Sequence, residues 1–357
     1  MSDRSRRAAD RRERPAPEAP SALPLPVLDS HVHLDIVAGS RSTEAGADAG
    51  RTAVGDRSEI VAGSRSTEAG ADAGRTAAGD RSEIVAGSRS TEAGADAGRT
   101  AVGDRSEIVG SDGSGWSVED QVAAARAVGV DRLVQVGVDV TSSQWSAALA
   151  ERVPAVLATV ALHPNEAPRL ADLDAALAVI DSLAGQPRVR GIGETGLDFF
   201  RTGEDGLKAQ EHSFRGHIEI AKRTGKALVI HDRDAHADVL RVLDDAGAPD
   251  TVVLHCFSGD VFFAAECVRR GYVLSFAGTV TFKNAPHLRE AAALTPPSQL
   301  LVETDAPYLT PMPHRGAPNA SYLIPLTVRG LAEAKGLPVE EVCQGISATG
   351  ERVFGPW

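Results

Sequence analysis

The chain has 357 residues, 42% hydrophobic and 24% charged, with a net charge of −12. That is enough apolar material for one large domain or two of average size, and the acidity argues against a broad duplex-binding surface of basic patches. There is no apolar run long enough for a membrane span, and three cysteines without a CxxC pair argue against a disulfide framework and for a reducing cytoplasm.

The first segment, 1–26, is rich in Arg, Ala and Pro and lacks the apolar stretch of a secretory signal. It reads as a disordered tail ahead of a domain spanning 27–357. A short strand, Val27–Asp29, leads to His31-Val32-His33. Over 37–108 the chain repeats itself in three units that begin at Val37, Val61 and Val85. They differ only at Ala78, where the other copies carry Val54 and Val102. Each unit lacks aromatic residues and has too little apolar surface to offset the entropy of ordering. It reads as a flexible low-complexity insertion after the first strand; a lid or a partner-binding arm is the other reading. Without the tail and the repeats, about 260 residues remain, the usual size of a (β/α)₈ barrel.

Further strands are expected at Arg132–Val136, Ala155–Ala161, Val189–Glu194, Ala227–His231, Thr251–His255, Tyr272–Phe276 and Leu300–Glu303. Amphipathic stretches between them, such as Val118–Val128, Leu207–Arg223, Ala235–Ala246 and Phe262–Arg270, are expected to be helices. Alternation of this kind implies parallel strands joined by crossover helices. Eight such units favour a closed TIM barrel over an open doubly wound sheet, and no GxGxxG turn opens a helix.

Polar residues cluster at the strand ends. His31 and His33 follow the first strand, His163 the third and Asp305 the eighth. Glu194, His231 and His255 end the fourth, fifth and sixth. A barrel gathers the C-terminal ends of its strands around one mouth, so these residues form one expected site. With a period of two, the imidazoles of His31 and His33 point the same way and can chelate one cation. Glu194, set between glycines in Gly193-Glu194-Thr195-Gly196, can bridge two ions. Barrels of the amidohydrolase type often place a carboxylated lysine at that strand, but no lysine lies between Val189 and Phe200. His231 and His255 complete an imidazole and carboxylate set suited to one or two Zn²⁺, Mn²⁺ or Mg²⁺ ions. Asp305 can bind a metal and take the proton of a metal-activated water. Glu303, two residues earlier, either orients ligands from behind or is a structural carboxylate. His163 is either a donor to an anionic substrate oxygen or a structural histidine. Arg233 is either a phosphate contact or half of a surface ion pair. His212, His217, His236 and His287 fall in helical stretches and are expected to face solvent.

The segments SHVHLD, ALHP, GIGETGLDFF, VIHDRDA, LHCFSG, SFAGTVTFKNAPHLREA and LLVETDAPYLTPMPHRG together resemble the TatD family of metal-dependent hydrolases. The resemblance runs from Asp29 to Gly316, broken by the repeats. It implies an amidohydrolase-like barrel and metal-dependent phosphodiester hydrolysis, in the manner of a deoxyribonuclease that trims DNA ends. It also implies metal-ligand roles for His31, His33, Glu194, His231, His255 and Asp305, and a substrate-side, catalytic role for His163. Asn165 departs from the family, which commonly has a histidine there, as do Thr195 and Asn319-Ala320-Ser321. The competing reading keeps the metals but cuts an ester or amide of a small or aminoacyl substrate. Nothing in the sequence calls for an obligate protein partner.

Overall fold

The computed structural model of the chain describes residues 16–37 and 116–357. The expected insertion, apart from Val37, and the first 15 residues of the expected tail lie outside the described residues.

Eight strands form one sheet, each parallel to its sequence neighbour: β1 (Val27–Val32), β2 (Val130–Val136), β3 (Val156–Val160), β4 (Val189–Asp198), β5 (Ala227–Arg233), β6 (Val252–Leu254), β7 (Val273–Phe276) and β8 (Leu300–Val302). The seam between β8 and β1 closes at the C-terminal rim. There Val32 bridges Ala306, the Asp305 N–H donates to the His31 carbonyl at 3.0 Å, and the His33 N–H donates to that of Ala306 at 3.1 Å. The strands read as near-continuous apolar runs because both faces are covered: β1, β3, β6, β7 and β8 are buried at every residue.

Helices α1 (Val118–Ala127), α2 (Val140–Arg152), α3 (Leu173–Ala184), α4 (Glu204–Thr224), α5 (His236–Ala246), α6 (Val261–Arg269) and α7 (Pro286–Leu294) each connect one strand to the next. Two more, α8 (Ile324–Lys335) and α9 (Val339–Phe354), follow β8. Their starts follow from local chemistry. Ser117 and Asp120 form a capping box on α1, and Asp139, Asp172 and Asp260 cap α2, α3 and α6 through their carboxylates. Val239, Val242 and Leu243 form the buried stripe of α5 at the three-and-four spacing of a half-buried helix. Among the described residues, no helix is long and apolar enough to cross a membrane.

Several boundaries differ from those read in the sequence. β1, β4 and β5 run on through residues that look like strand terminators. The β4–β5 ladder continues with Gly196 opposite His231 and Asp198 opposite Arg233. His31, Glu194, Asp198, His231 and Arg233 are therefore carried on strand, whereas His33, His163, His255, Glu303 and Asp305 lie just past the strand ends. Residues 16–26, read as part of a disordered tail, instead lie against the barrel. Leu23 is buried, the Leu23 N–H donates to the Val128 carbonyl at 3.0 Å, and Arg329 donates to the Ser21 and Ala22 carbonyls. Leu23 and the backbone carbonyls of Pro17, Ser21 and Ala22 anchor what composition alone assigned to a tail.

Candidate metal centre

Glu194 is the hub of the barrel mouth. It falls where the β4–β5 register shifts, between Ile192 and Thr195, and such a bulge re-aims a side chain. His31 falls in the corresponding irregularity of β1, between Asp29 and Val32. The glycines around Glu194 have a steric reason. A Cβ on Gly193 would stand 2.5 Å from the Val229 carbonyl oxygen, and one on Gly196, at φ +136, would stand 2.1 Å from that of His231.

Four imidazoles meet the Glu194 carboxylate. Its Oε1 lies 2.7 Å from His231 Nδ1, 2.9 Å from His255 Nε2 and 3.3 Å from His163 Nε2. Its Oε2 lies 3.4 Å from His31 Nε2. Asp305 Oδ1 is 3.6 Å from His33 Nε2 and 3.9 Å from His31 Nε2. The His31 and His255 rings stack with centroids 4.0 Å apart. Glu303 Oε1 stands behind His255 Nδ1 at 3.2 Å and also accepts the Cys256 N–H at 2.7 Å. The fold thus brings His31, His33, His163, Glu194, His231, His255, Glu303 and Asp305 together. Strain concentrates here too. The non-glycine residues with left-handed backbone among the described residues, Asp234, Cys256, Asp305 and Leu309, all follow C-terminal strand ends.

These residues fit a divalent cation. His31 is fully buried, yet neither ring nitrogen has a hydrogen-bond partner, and the buried Glu303 Oε2 also lacks one. Such groups are costly unless something satisfies them. Among the described residues, three sets have ligand atoms within 4.8 Å of one another: His31, His33 and Glu194; His31, His255 and Glu303; and His163, Glu194 and His231.

Electrostatics separates the members. Burial pushes the Glu194 carboxyl up, but the His255 and His163 imidazoles outweigh it and hold the group well below the usual carboxylate range. Burial likewise opposes ionisation of Asp305, and His33 and His31 overcome it. Burial lowers His255, but Glu194 and Glu303 carry it well above an ordinary histidine. His31 and His163 stay low because burial dominates. His163 also has a defined tautomer. The Asn165 N–H donates to its Nδ1 at 3.0 Å, so the neutral ring carries its proton on Nε2, facing Glu194.

Arg233 is not in the cluster. Its guanidinium lies 4.0 Å over the ring of Phe200, an exposed side chain on the loop after β4. Among the described residues its side chain has neither an ion-pair nor a hydrogen-bond partner. His217, expected to face solvent, is fully buried: the Leu162 N–H donates to its Nε2 at 3.0 Å, and its Nδ1 donates to the Ser213 carbonyl at 2.7 Å. Its helical position hid it, since a helix of this length has a face against the barrel. Asp198 was passed over. Its Oδ2 lies 3.2 Å from His231 Nε2. The available signal was the spacing Glu194-x-Gly196-x-Asp198, which puts both carboxylates on one face of a strand.

A family model described as TatD related DNase matches residues 111–355. The chain is 49% identical over 243 residues to an uncharacterized metal-dependent hydrolase TatD of Mycobacterium tuberculosis, covering 67% of this chain and 91% of that protein. It is 33% identical to a protein of Citrobacter rodentium named 3′-5′ ssDNA/RNA exonuclease TatD, covering 66% and 91%. The crystal structure of the TatD homologue YJJV from Escherichia coli K12 superimposes with a TM-score of 0.63 at 27% identity, covering 67% of this chain and 92% of that one.

Proposed function

Because this chain belongs to the TatD related DNase family of metal-dependent hydrolases, we propose that it cleaves phosphodiester bonds at the ends of DNA. The observation that carries the substrate reading is the Phe200–Arg233 platform. A guanidinium without a charge partner among the described residues, 4.0 Å over an exposed ring at the end of the strand that bears His231, suits a ligand with both phosphate and base. The exonuclease name of the Citrobacter rodentium relative points the same way.

In this reading His31, His33 and Asp305 hold one cation position and His231 and His255 the other, with Glu194 between. Zn²⁺, Mn²⁺ and Mg²⁺ are the candidate ions. A divalent ion there supplies Lewis acidity toward a phosphoryl oxygen and lowers the pKa of water it binds. Asp305, kept ionised by His33 and His31, accepts the proton. His163, whose Nε2 carries hydrogen, donates to a substrate oxygen instead of ligating. Glu303 orients His255 from behind, and Arg233 holds a phosphate of the same strand.

The test is to incubate purified protein with end-labelled single-stranded DNA, and in parallel with an aminoacyl ester. Stepwise shortening of the DNA, abolished by a chelator and restored by one of the three metals, is expected. Hydrolysis of the ester alone would transfer the site to the competing substrate class. Full activity of Glu194→Ala or His231→Ala would remove the metal mechanism altogether.

A further inference from the structure

His231 is held differently from the other imidazoles. Its Nδ1 meets Glu194 Oε1 at 2.7 Å, and its Nε2 meets Asp198 Oδ2 at 3.2 Å. The strand register explains the clamp. Gly196 pairs with His231 across β4 and β5, and Glu194 and Asp198 stand two residues to either side of that glycine. A Cβ on Gly196 would collide with the His231 carbonyl, so the glycine lets the two strands run this close, and the ring lies with a carboxylate at each end.

Asp198 itself is saturated. Its Oδ1 accepts the Phe200 N–H at 3.0 Å and the Arg201 N–H at 2.8 Å. Its Oδ2 accepts Asn165 Nδ2 at 3.1 Å as well as facing His231. Asn165 is in turn fixed, because its Oδ1 accepts the Thr202 hydroxyl at 3.1 Å, and that hydroxyl accepts Gln210 Nε2 at 2.6 Å. A carboxylate with both oxygens so occupied can receive a proton donor but cannot turn toward an ion.

We infer that Asp198 is a positioning residue: it holds the His231 proton on Nε2 and so presents Nδ1 as the nitrogen that binds the cation beside Glu194. His255 is mounted the other way round, with Nε2 toward Glu194 and Nδ1 toward Glu303. The two imidazoles therefore reach the same carboxylate oxygen through opposite ring nitrogens, each backed by its own carboxylate. A partner behind a ligating histidine fixes its tautomer and raises its basicity. Asn165, where the chain departs from the family, falls in this support behind His231.

The inference rests on the metal-site part of the proposed function and is independent of its substrate. The probe is zinc alone. In zinc-loaded protein with ¹⁵N-labelled histidine, His231 should show a protonated Nε2 and a metal-shifted Nδ1, the reverse of His255. A protonated Nδ1 on His231 overturns the inference without any variant. In a chelator competition, Asp198→Asn should weaken binding of the zinc that His231 holds about 10–100-fold. Its metal-free melting temperature should stay close to wild type, because asparagine keeps the Oδ1 acceptor for the Phe200 and Arg201 N–H groups. Unchanged zinc affinity in Asp198→Asn overturns it as well. Wild-type protein that takes up no zinc, manganese or magnesium would sink the metal reading and this inference together. Zinc uptake with the expected tautomers but no action on DNA would sink only the substrate reading.

Discussion

At the scale of single residues, histidines here are distinguished by what meets their second nitrogen. His163 receives a backbone N–H on Nδ1 and therefore offers a donor at Nε2. His163→Ala is expected to lower kcat about 10²–10³-fold, as for loss of one preorganised donor, with metal content unchanged. Metal analysis alongside the rate separates this from a ligand, whose loss would empty a position. His217 makes a second case. Burial, opposed only by the Ser213 carbonyl, lowers its pKa to about 4 from 6.5. The folded pKa lies below the unfolded one, so above pH 6.5 the group is neutral in both states and costs nothing. As pH falls from 6.5 to 4, the unfolded chain takes up a proton that the fold excludes. Stability is lost over that window, by about 3 kcal/mol in total. Below pH 4 the term is constant. Glutamine can accept from Leu162 and donate to Ser213, so His217→Gln should unfold with a shallower pH dependence between 7 and 4. Parallel curves for the two proteins would show that His217 is not responsible.

At the scale of elements, the site depends on how closely β4 and β5 run. Glu194 reaches the cluster because Gly193 lets the strand pass 2.5 Å, measured from an added Cβ, from the Val229 carbonyl. The obstacle is backbone, which cannot swing aside. Gly193→Ala should destabilise the protein by about 1–3 kcal/mol, the usual range for overpacking. It should also displace Glu194 and cut metal uptake. Denaturant unfolding and metal analysis check the two effects; wild-type values for both would mean that β4 has room to shift. The same ladder explains why the strands outrun their apolar runs. Side-chain chemistry suggests an end at His231, but backbone pairing continues to Arg233 because β4 supplies partners as far as Asp198.

At the scale of the whole molecule, the barrel gathers imidazoles and carboxylates at one rim, and both His31 ring nitrogens and Glu303 Oε2 lack hydrogen-bond partners there. Such a rim is stabilised by the ion that satisfies it. Zinc at about 100 times its Kd should add about 2.7 kcal/mol to stability per site, and a chelator should remove the gain. A melting temperature indifferent to both would count against a preformed site. Alternation of apolar runs with amphipathic stretches, and the placing of His31, His33, Glu194, His231, His255 and Asp305 at strand ends, were readable from the chain alone. Period, residue type and order along the chain are local properties. The roles of Asp198 and His217, the tautomer of His163 and the mounting of Arg233 on Phe200 were not. Asp198 and His231 are 33 positions apart, and only the register of two neighbouring strands lays one beside the other. Residue chemistry thus determined which candidate ligands the protein carries. Tertiary structure decided which nitrogen each histidine offers, because that depends on a partner brought in from another strand.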